Sequence, residues 1–249
     1  MEKRQALHFR DAFRDGRSRA LRDAESFECL LFALEQLARR IGGRRGLGAN
    51  RELVRQFAGA SPLAERIPAS WRGLHTPFGV LYAQFTRARN AALHEGAFAR
   101  HLVSDAVKIA IVMEDVLTMD LEEVGDYMVR SPLEASMWQP ISFIRQSLLA
   151  NSFSFMPVDS GVSGARWKLV SDHALAKLLR GSSQAERERR LLLPLEVAVA
   201  EKLMTLVDPF TCLPETRVSE ALRSSSGTPI LVVDSSEQLL GIATPFDFL

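Results

Sequence analysis

Cysteine is nearly absent from this 249-residue chain: Cys29 and Cys212 stand far apart, and neither has other metal-ligand residues at useful spacing. That excludes a disulfide framework and a structural zinc site, and it points to a reducing, cytoplasmic setting. No uncharged apolar run approaches the twenty or so residues of a membrane helix. The first twenty residues mix Glu2, Asp11 and Asp15 with arginines, so no signal peptide is expected. Motif chemistry is also thin. Gly43 to Gly48 has Walker-like glycine spacing, but Ala49-Asn50 replaces the Lys-Ser/Thr that would grip phosphate. Gly46-Leu-Gly48 lacks the third glycine and the preceding strand of a dinucleotide fingerprint, and reads as a flexible Arg-bearing loop. Five scattered histidines give no Ser-His-Asp or Cys-His order.

Charge is present in balance but unevenly placed. Residues 1–100 carry 18 Lys and Arg against 10 Asp and Glu, whereas residues 101–249 carry 13 against 20. A basic half joined to an acidic half suits a chain of which one part meets a polyanion.

The basic half reads as helix. Phe27, Leu30, Leu31, Leu34, Leu37 and Ile41 form one stripe between Ala20 and Ile41, ended by Gly42-Gly43. Asn50 is expected to cap a short helix to Phe57, and Thr76-Pro77 to open another with Pro at its first position. That helix carries Phe78, Leu81, Tyr82, Phe85, Ala88 and Ala92 on one face and ends near Gly96. A last helix shows Leu102, Val103, Ala106, Val107, Ala110, Ile111 and Leu117. The fold class expected is therefore α plus α/β: an antiparallel helical bundle over residues 1–119, then a βα module over 120–249.

The second half carries an internal repeat. Val124-Gly-Asp-Tyr-Met-Val-Arg resembles Val199-Ala-Glu-Lys-Leu-Met-Thr, and each is followed by a helical stretch (141–149 and 218–223) and a Pro-led strand at Met156-Pro157-Val158 or Thr228-Pro229-Ile230. The charged stretch Gln184 to Arg190 joins the copies, 120–180 and 195–249. Leu203-Met204-Thr205, Val218-Ser-Glu-Ala-Leu222, Pro229-Ile-Leu-Val-Val-Asp234 and Gly241-Ile-Ala-Thr-Pro-Phe-Asp-Phe-Leu249 together resemble a CBS motif. Residues 121–249 thus look like a CBS pair, the adenine-nucleotide-sensing module. The resemblance implies that Thr244 contacts phosphate and Asp247 the ribose of AMP, ADP or ATP, with Ile242 and Pro229 beside them. In the first copy, aligning Leu169-Val170-Ser171 with Ile242-Ala243-Thr244 puts Ala174 where the aspartate should be, so one competent site per chain is expected. His173 falls beside the degenerate half-site and is read as a surface residue.

One constellation stands out in the helical half: Arg89-Asn90-Ala91-Ala92-Leu93-His94, at the close of a helix and ahead of a long apolar one. It resembles the R-N-x-x-x-H motif of the HEPN superfamily, whose members with this motif are metal-independent ribonucleases. RNA supplies its own nucleophile, the 2′-OH, so the protein need only move protons and stabilise charge. A histidine titrates in the right range, an arginine offers a planar fork, and an asparagine orients by neutral hydrogen bonds. Asn90 and His94 share a helix face, whereas Arg89 lies about 140° round from His94. By resemblance, two such motifs meet across a homodimer. The expected function is a metal-independent endoribonuclease regulated by an adenine nucleotide; the alternative is a non-catalytic nucleotide-sensing dimer whose helical half binds RNA or a protein. No metal and no membrane enter either reading. His8, His75 and His101 are read as surface or cap residues, and Trp71, Trp138 and Trp167 as core or interface anchors.

Overall fold

The computed structural model describes residues 1–44, 46–95, 99–162, 166–180 and 183–249, except for the side chains of 24, 25 and 88–101. The chain forms two compact units, Met1–Leu121 and Glu122–Leu249.

The first unit is helical, with α1 Lys3–Arg22, α2 Glu28–Gly42, α3 Arg51–Ala58, α4 Arg66–Ser70, α5 Phe78–Glu95 and α6 Ala99–Thr118. Helix α1 packs on α2 and α6, and α5 packs on α6. The expected helix from Ala20 to Ile41 is in fact two helices, parted by Asp23 and a 3₁₀ turn at Ala24–Phe27. The whole of α1 escapes the apolar-stripe reading, because its buried face is made of Phe9 and Phe13 among small residues, Ala6, Gly16 and Ala20. Small residues let the helices approach: a Cβ on Gly16 would stand 3.0 Å from Leu30 Cδ2. In the α5 stripe Phe78, Leu81, Tyr82 and Phe85 are all at most 2% exposed, as expected, and the side chains of Ala88 and Ala92 lie outside the described residues. On α6, Ile111 turns outward, and Ile109 and Met113 take the core positions instead.

Two expected caps differ. Pro77 stands one position earlier than expected, at the N-cap, with its carbonyl accepting from the Val80 and Leu81 amides. Asn50 does precede α3 but makes no side-chain cap. Its Nδ2 instead donates to the carbonyls of Arg44 and Gly46, at 2.8 and 3.2 Å, and Tyr82 Oη donates to the Leu47 carbonyl at 2.9 Å. Buried side chains therefore tie the carbonyls of Arg44, Gly46 and Leu47 to the core. Across the α1–α6 contact, Glu114 is 8% exposed and takes both forks of Arg17, at 2.9 and 3.0 Å. That bond raises the Arg17 pKa.

The second unit has the order α7 Val124–Tyr127, β1 Val129–Arg130, β2 Ala135–Ser136, α8 Ile141–Asn151, β3 Phe155–Asp159, β4 Trp167–Ser171, α9 Asp172–Leu179, α10 Gln184–Leu192, α11 Leu195–Ala200, β5 Phe210–Cys212, α12 Val218–Ser224, β6 Ile230–Val233 and β7 Leu239–Ala243, with a 3₁₀ turn at Pro245–Phe248. Two sheets form, β2-β3-β4 and β1-β7-β6-β5. Each repeat holds a parallel pair and an antiparallel hairpin: β2 with β3 and then β4, β5 with β6 and then β7. The repeats also exchange edges. Strand β1, near the start of the first copy, pairs with β7 of the second, while Val207, near the start of the second, bridges to Leu169 in β4. Between the sheets Trp167, Leu169 and Leu231 are buried with Ile242, Val207 and Phe155 against them.

This pairing shifts the repeat alignment. Ser171, the last residue of β4, and Thr244, just after β7, are each the N-cap of the turn or helix that follows, which fixes the equivalence. Phe155 pairs with Ser171, and Ile230 with Ala243, so Pro229 corresponds to Phe155. Pro157 lies inside β3, opposite Leu169, and is not the counterpart of Pro229. Likewise Val129, paired with Ile242, corresponds to Val207, bridged to Leu169, rather than to Met204. The extra length before Val207 is taken up by the turn after α11.

Candidate functional site

The nominated nucleotide residues converge at one end of β7. The strand delivers Ile242 and Ala243, and Thr244 then caps the 3₁₀ turn with Pro245 at its start. Thr244 and Asp247 form a reciprocal cap, in which the Thr244 side chain accepts from the Asp247 amide while Asp247 Oδ2 accepts from Thr244 N at 2.7 Å and from Thr244 Oγ1 at 2.8 Å. Both residues are half-buried. Pro229 is buried, and continuing the Ile230–Ala243 ladder by one step sets it across from Thr244. All four nominated residues therefore lie around one turn.

The structure adds a neighbour that the sequence reading did not nominate. Val129 is directly opposite Ile242, and opposed residues of an antiparallel pair share a face. Val129 is 55% exposed, so an open apolar strip continues from Ile242 across β1. Arg130, also exposed, follows it opposite Gly241. Glycine is required there: a Cβ on Gly241 would lie 2.6 Å from Met128 Sδ and 2.9 Å from the Val129 carbonyl, and would push β1 off the sheet. Strand β1 has two residues, both exposed, and nothing in its own sequence marks it as a strand. Only its partner does.

The corresponding place in the first copy is simpler. Ser171 Oγ accepts from the Ala174 amide at 3.1 Å and caps α9. Ala174 occupies the place of Asp247, so no carboxylate reaches back to Ser171. His173 is exposed, as expected of a surface residue. A separate polar cavity of about 230 Å³ is lined by Trp167, Lys168, Asp208 and Glu237, and it includes none of the nominated residues. Its cations already have partners. Arg166 donates twice to Asp159 Oδ2, which holds that carboxyl below the usual range, and Lys168 pairs with Asp208.

Arg89, Asn90 and His94 all belong to α5, which runs without a break to Glu95. Asn90 and His94 are one turn apart on that helix, and the side chains of all three lie outside the described residues. Trp167 is buried, as an anchor should be, whereas Trp71 and Trp138 are 61% and 69% exposed and are not core residues. Among the described residues no group of three or more His, Cys, Asp or Glu is placed to hold a metal ion, and no helix is long and apolar enough to cross a membrane.

No protein-family model matches the chain, and no curated protein matches it. Solved structures do resemble it. A CBS domain-containing protein from Bacillus anthracis is 19% identical, over 51% of this chain and 89% of that one, with a TM-score of 0.42. An acetoin utilization protein from Vibrio cholerae is 21% identical, over 51% and 86%, with a TM-score of 0.38. CBSX2, a CBS-pair protein from Arabidopsis thaliana, is matched as its complex with AMP at 20% identity, over 51% and 92%, with a TM-score of 0.38.

Proposed function

We propose that the unit Glu122–Leu249 senses an adenine nucleotide and regulates the helical unit. The observation that carries this reading is the Thr244–Asp247 pair, half-buried at the end of β7 beside an open apolar strip. A carboxylate oriented by a backbone N–H and a hydroxyl is a ready acceptor for the two hydroxyls of a ribose, and charge-assisted bonds of that kind are the strong ones. The apolar strip of Val129 and Ile242 gives a purine an apolar surface to lie on, with Pro229 buried beside it. Thr244 meets phosphate only by turning its hydroxyl away from Asp247, because both its N–H and its O–H are directed there now. Ligand binding would thus exchange an internal hydrogen bond for an external one. The test is equilibrium titration of AMP, ADP, ATP and GMP onto the full chain. Saturable binding of at least one adenine nucleotide, with GMP excluded, supports the reading; failure of all three adenine nucleotides to bind removes it.

A second proposal concerns what is regulated. Arg89, Asn90 and His94 fall in the last turns of α5, and the resemblance of their spacing to the R-N-x-x-x-H motif is what favours RNA cleavage as the activity of the helical unit. In that reaction His94 takes the 2′-OH proton while the 2′ oxygen bonds to phosphorus. The P–O5′ bond then breaks, the leaving 5′ oxygen takes a proton from water, and Arg89 meets the charge gathering on the phosphoryl oxygens. A homodimer would bring two such sets together, with RNA as the substrate and no metal required. The non-catalytic alternative keeps RNA or a protein as a bound partner of the same unit.

A further inference from the structure

From Arg39 to Arg55 the chain carries six arginines against one acid, Glu52. They gather at the corner where α2 ends, a glycine-rich turn follows and α3 begins. The corner is held from inside: Asn50, 1% exposed, donates to the Arg44 and Gly46 carbonyls, and Tyr82 donates to that of Leu47. The two helix ends touch, since a Cβ on Gly42 would stand 2.2 Å from Asn50 Oδ1. Every arginine described there is exposed, and Arg45 lies outside the described residues. Arg39, Arg44 and Arg51 make no ion pair or side-chain hydrogen bond among the described residues. Arg40 bonds a neutral partner, Gln5 Oε1, at 2.9 and 3.2 Å. Arg55 meets Glu52 at 3.9 Å, too far for a hydrogen bond. By contrast, Arg17 is held by Glu114 and Arg19 by Asp15.

A cationic corner without internal counter-charge selects a polyanion, and what it lacks narrows the class. Ile41 is half-buried and Leu47 1% exposed, so no large apolar side chain is exposed from Arg39 to Glu52 among the described residues. A protein partner would want an aromatic or apolar anchor there, and a membrane something to insert. Gly43, Gly46 and Gly48 instead leave bare backbone between the guanidiniums, with nothing within 4 Å of where a Cβ would stand. We infer that the α2–α3 corner docks the phosphate backbone of single-stranded RNA, as a gripping surface apart from Arg89, Asn90 and His94. Guanidinium forks suit it because they bind phosphate two bonds at a time. The corner also adjoins the helix that bears the R-N-x-x-x-H residues: a Cβ on Gly79, in the first turn of α5, would stand 3.2 Å from Arg55 Nε. Arg89 follows ten residues later, about 15 Å along the axis, so one strand can be gripped at Arg55 and cut beside Arg89. The inference rests on RNA as the partner of the helical unit.

The probe is a mixed-sequence 2′-O-methyl RNA strand, which lacks the 2′ nucleophile and so reports binding without cleavage. Followed by fluorescence anisotropy on the full chain, its affinity should fall steeply as salt rises. The triple variant Arg39→Gln, Arg44→Gln, Arg51→Gln should bind about 100-fold more weakly at about 0.1 M salt, with a salt slope shallower by ~2, because each phosphate contact to a single strand contributes ~0.7. It should melt like the parent, since no internal bond is removed. Arg44→Gln alone, on the exposed turn, should lower the slope by ~0.7 and decides the matter if the triple variant melts below the parent. Removing three exposed cations from the other unit, by Lys177→Gln, Arg180→Gln and Arg187→Gln, should leave binding unchanged and so separates a local surface from net charge. No binding by the parent, an unchanged slope in the corner variants, or equal weakening by the two triple variants overturns the proposal. So does retention of the parent on phosphatidylserine vesicles in place of RNA. Cleavage of unmodified RNA is scored separately. If the parent cuts RNA and the corner variants bind unchanged, the corner assignment falls alone; if it binds through the corner and cuts nothing, the catalytic reading falls alone.

Discussion

Replacement of Asp247 by asparagine should weaken adenine-nucleotide binding roughly 10- to 100-fold while leaving the second copy folded. Asparagine keeps an oxygen for the Thr244 N–H, so the cap that closes the turn after β7 survives. What disappears is the negative charge and one of two acceptor oxygens, which is the part a ribose diol needs. Alanine is the less informative substitution. It also removes the acceptor of the Thr244 N–H bond at 2.7 Å, and loss of a cap costs ~0.5–2 kcal/mol by itself. If the asparagine variant binds as the parent does, Asp247 is only a cap and the ribose assignment fails. If both variants lose binding but only alanine lowers the melting temperature, the ligand role and the structural role are separated.

The His94→Ala variant should lower cleavage of single-stranded RNA by about 10²- to 10⁴-fold, the range a positioned general acid or base contributes. Arg89→Ala should lose a comparable factor, because transition-state charge is then unmet. Cleavage by the parent should persist in EDTA, leave 2′,3′-cyclic phosphate ends and spare DNA, since deoxyribose has no 2′ nucleophile. His94 lies one residue from the end of α5. Activity in the His94→Ala protein equal to that of the parent would exclude this chemistry, and the helical unit would then be a binding module. RNA bound with a steep salt dependence but left intact would point the same way.

Legibility in the sequence followed burial. The α5 stripe and the Ile230-Leu-Val-Val run of β6 were readable because each buries a continuous apolar face with the period of its element. Helix α1 was not, since seven of its twenty residues are basic and its buried face relies on small residues. Nor was α10, read only as a charged connection. It has no fully buried residue, only Leu191 half-buried against the core, and local bonds support the helix: Ser183 accepts from the Glu186 amide, and Arg189 and Arg190 hold the Glu186 carboxyl at a pKa of about 2. At the candidate site, Thr244, Asp247, Ile242 and Pro229 were nominated because a motif puts them within a short stretch or a strand apart. Val129 was missed for a physical reason: its place depends on β7, more than a hundred residues away in sequence. The repeat was legible, but its register was not, because strand pairing rather than residue similarity sets which positions correspond.

The account turns on the difference between the two copies. The second has a carboxylate three residues after its cap, and the first has Ala174 there. Calorimetric counting of AMP sites on the full chain tests this directly, with the Ala174→Asp variant measured beside the parent. The account predicts one site per chain in the parent and a second, weaker site when Ala174→Asp supplies Ser171 with the missing carboxylate. Two equal sites in the parent, or one site that survives unchanged in the Asp247→Asn chain, would contradict it.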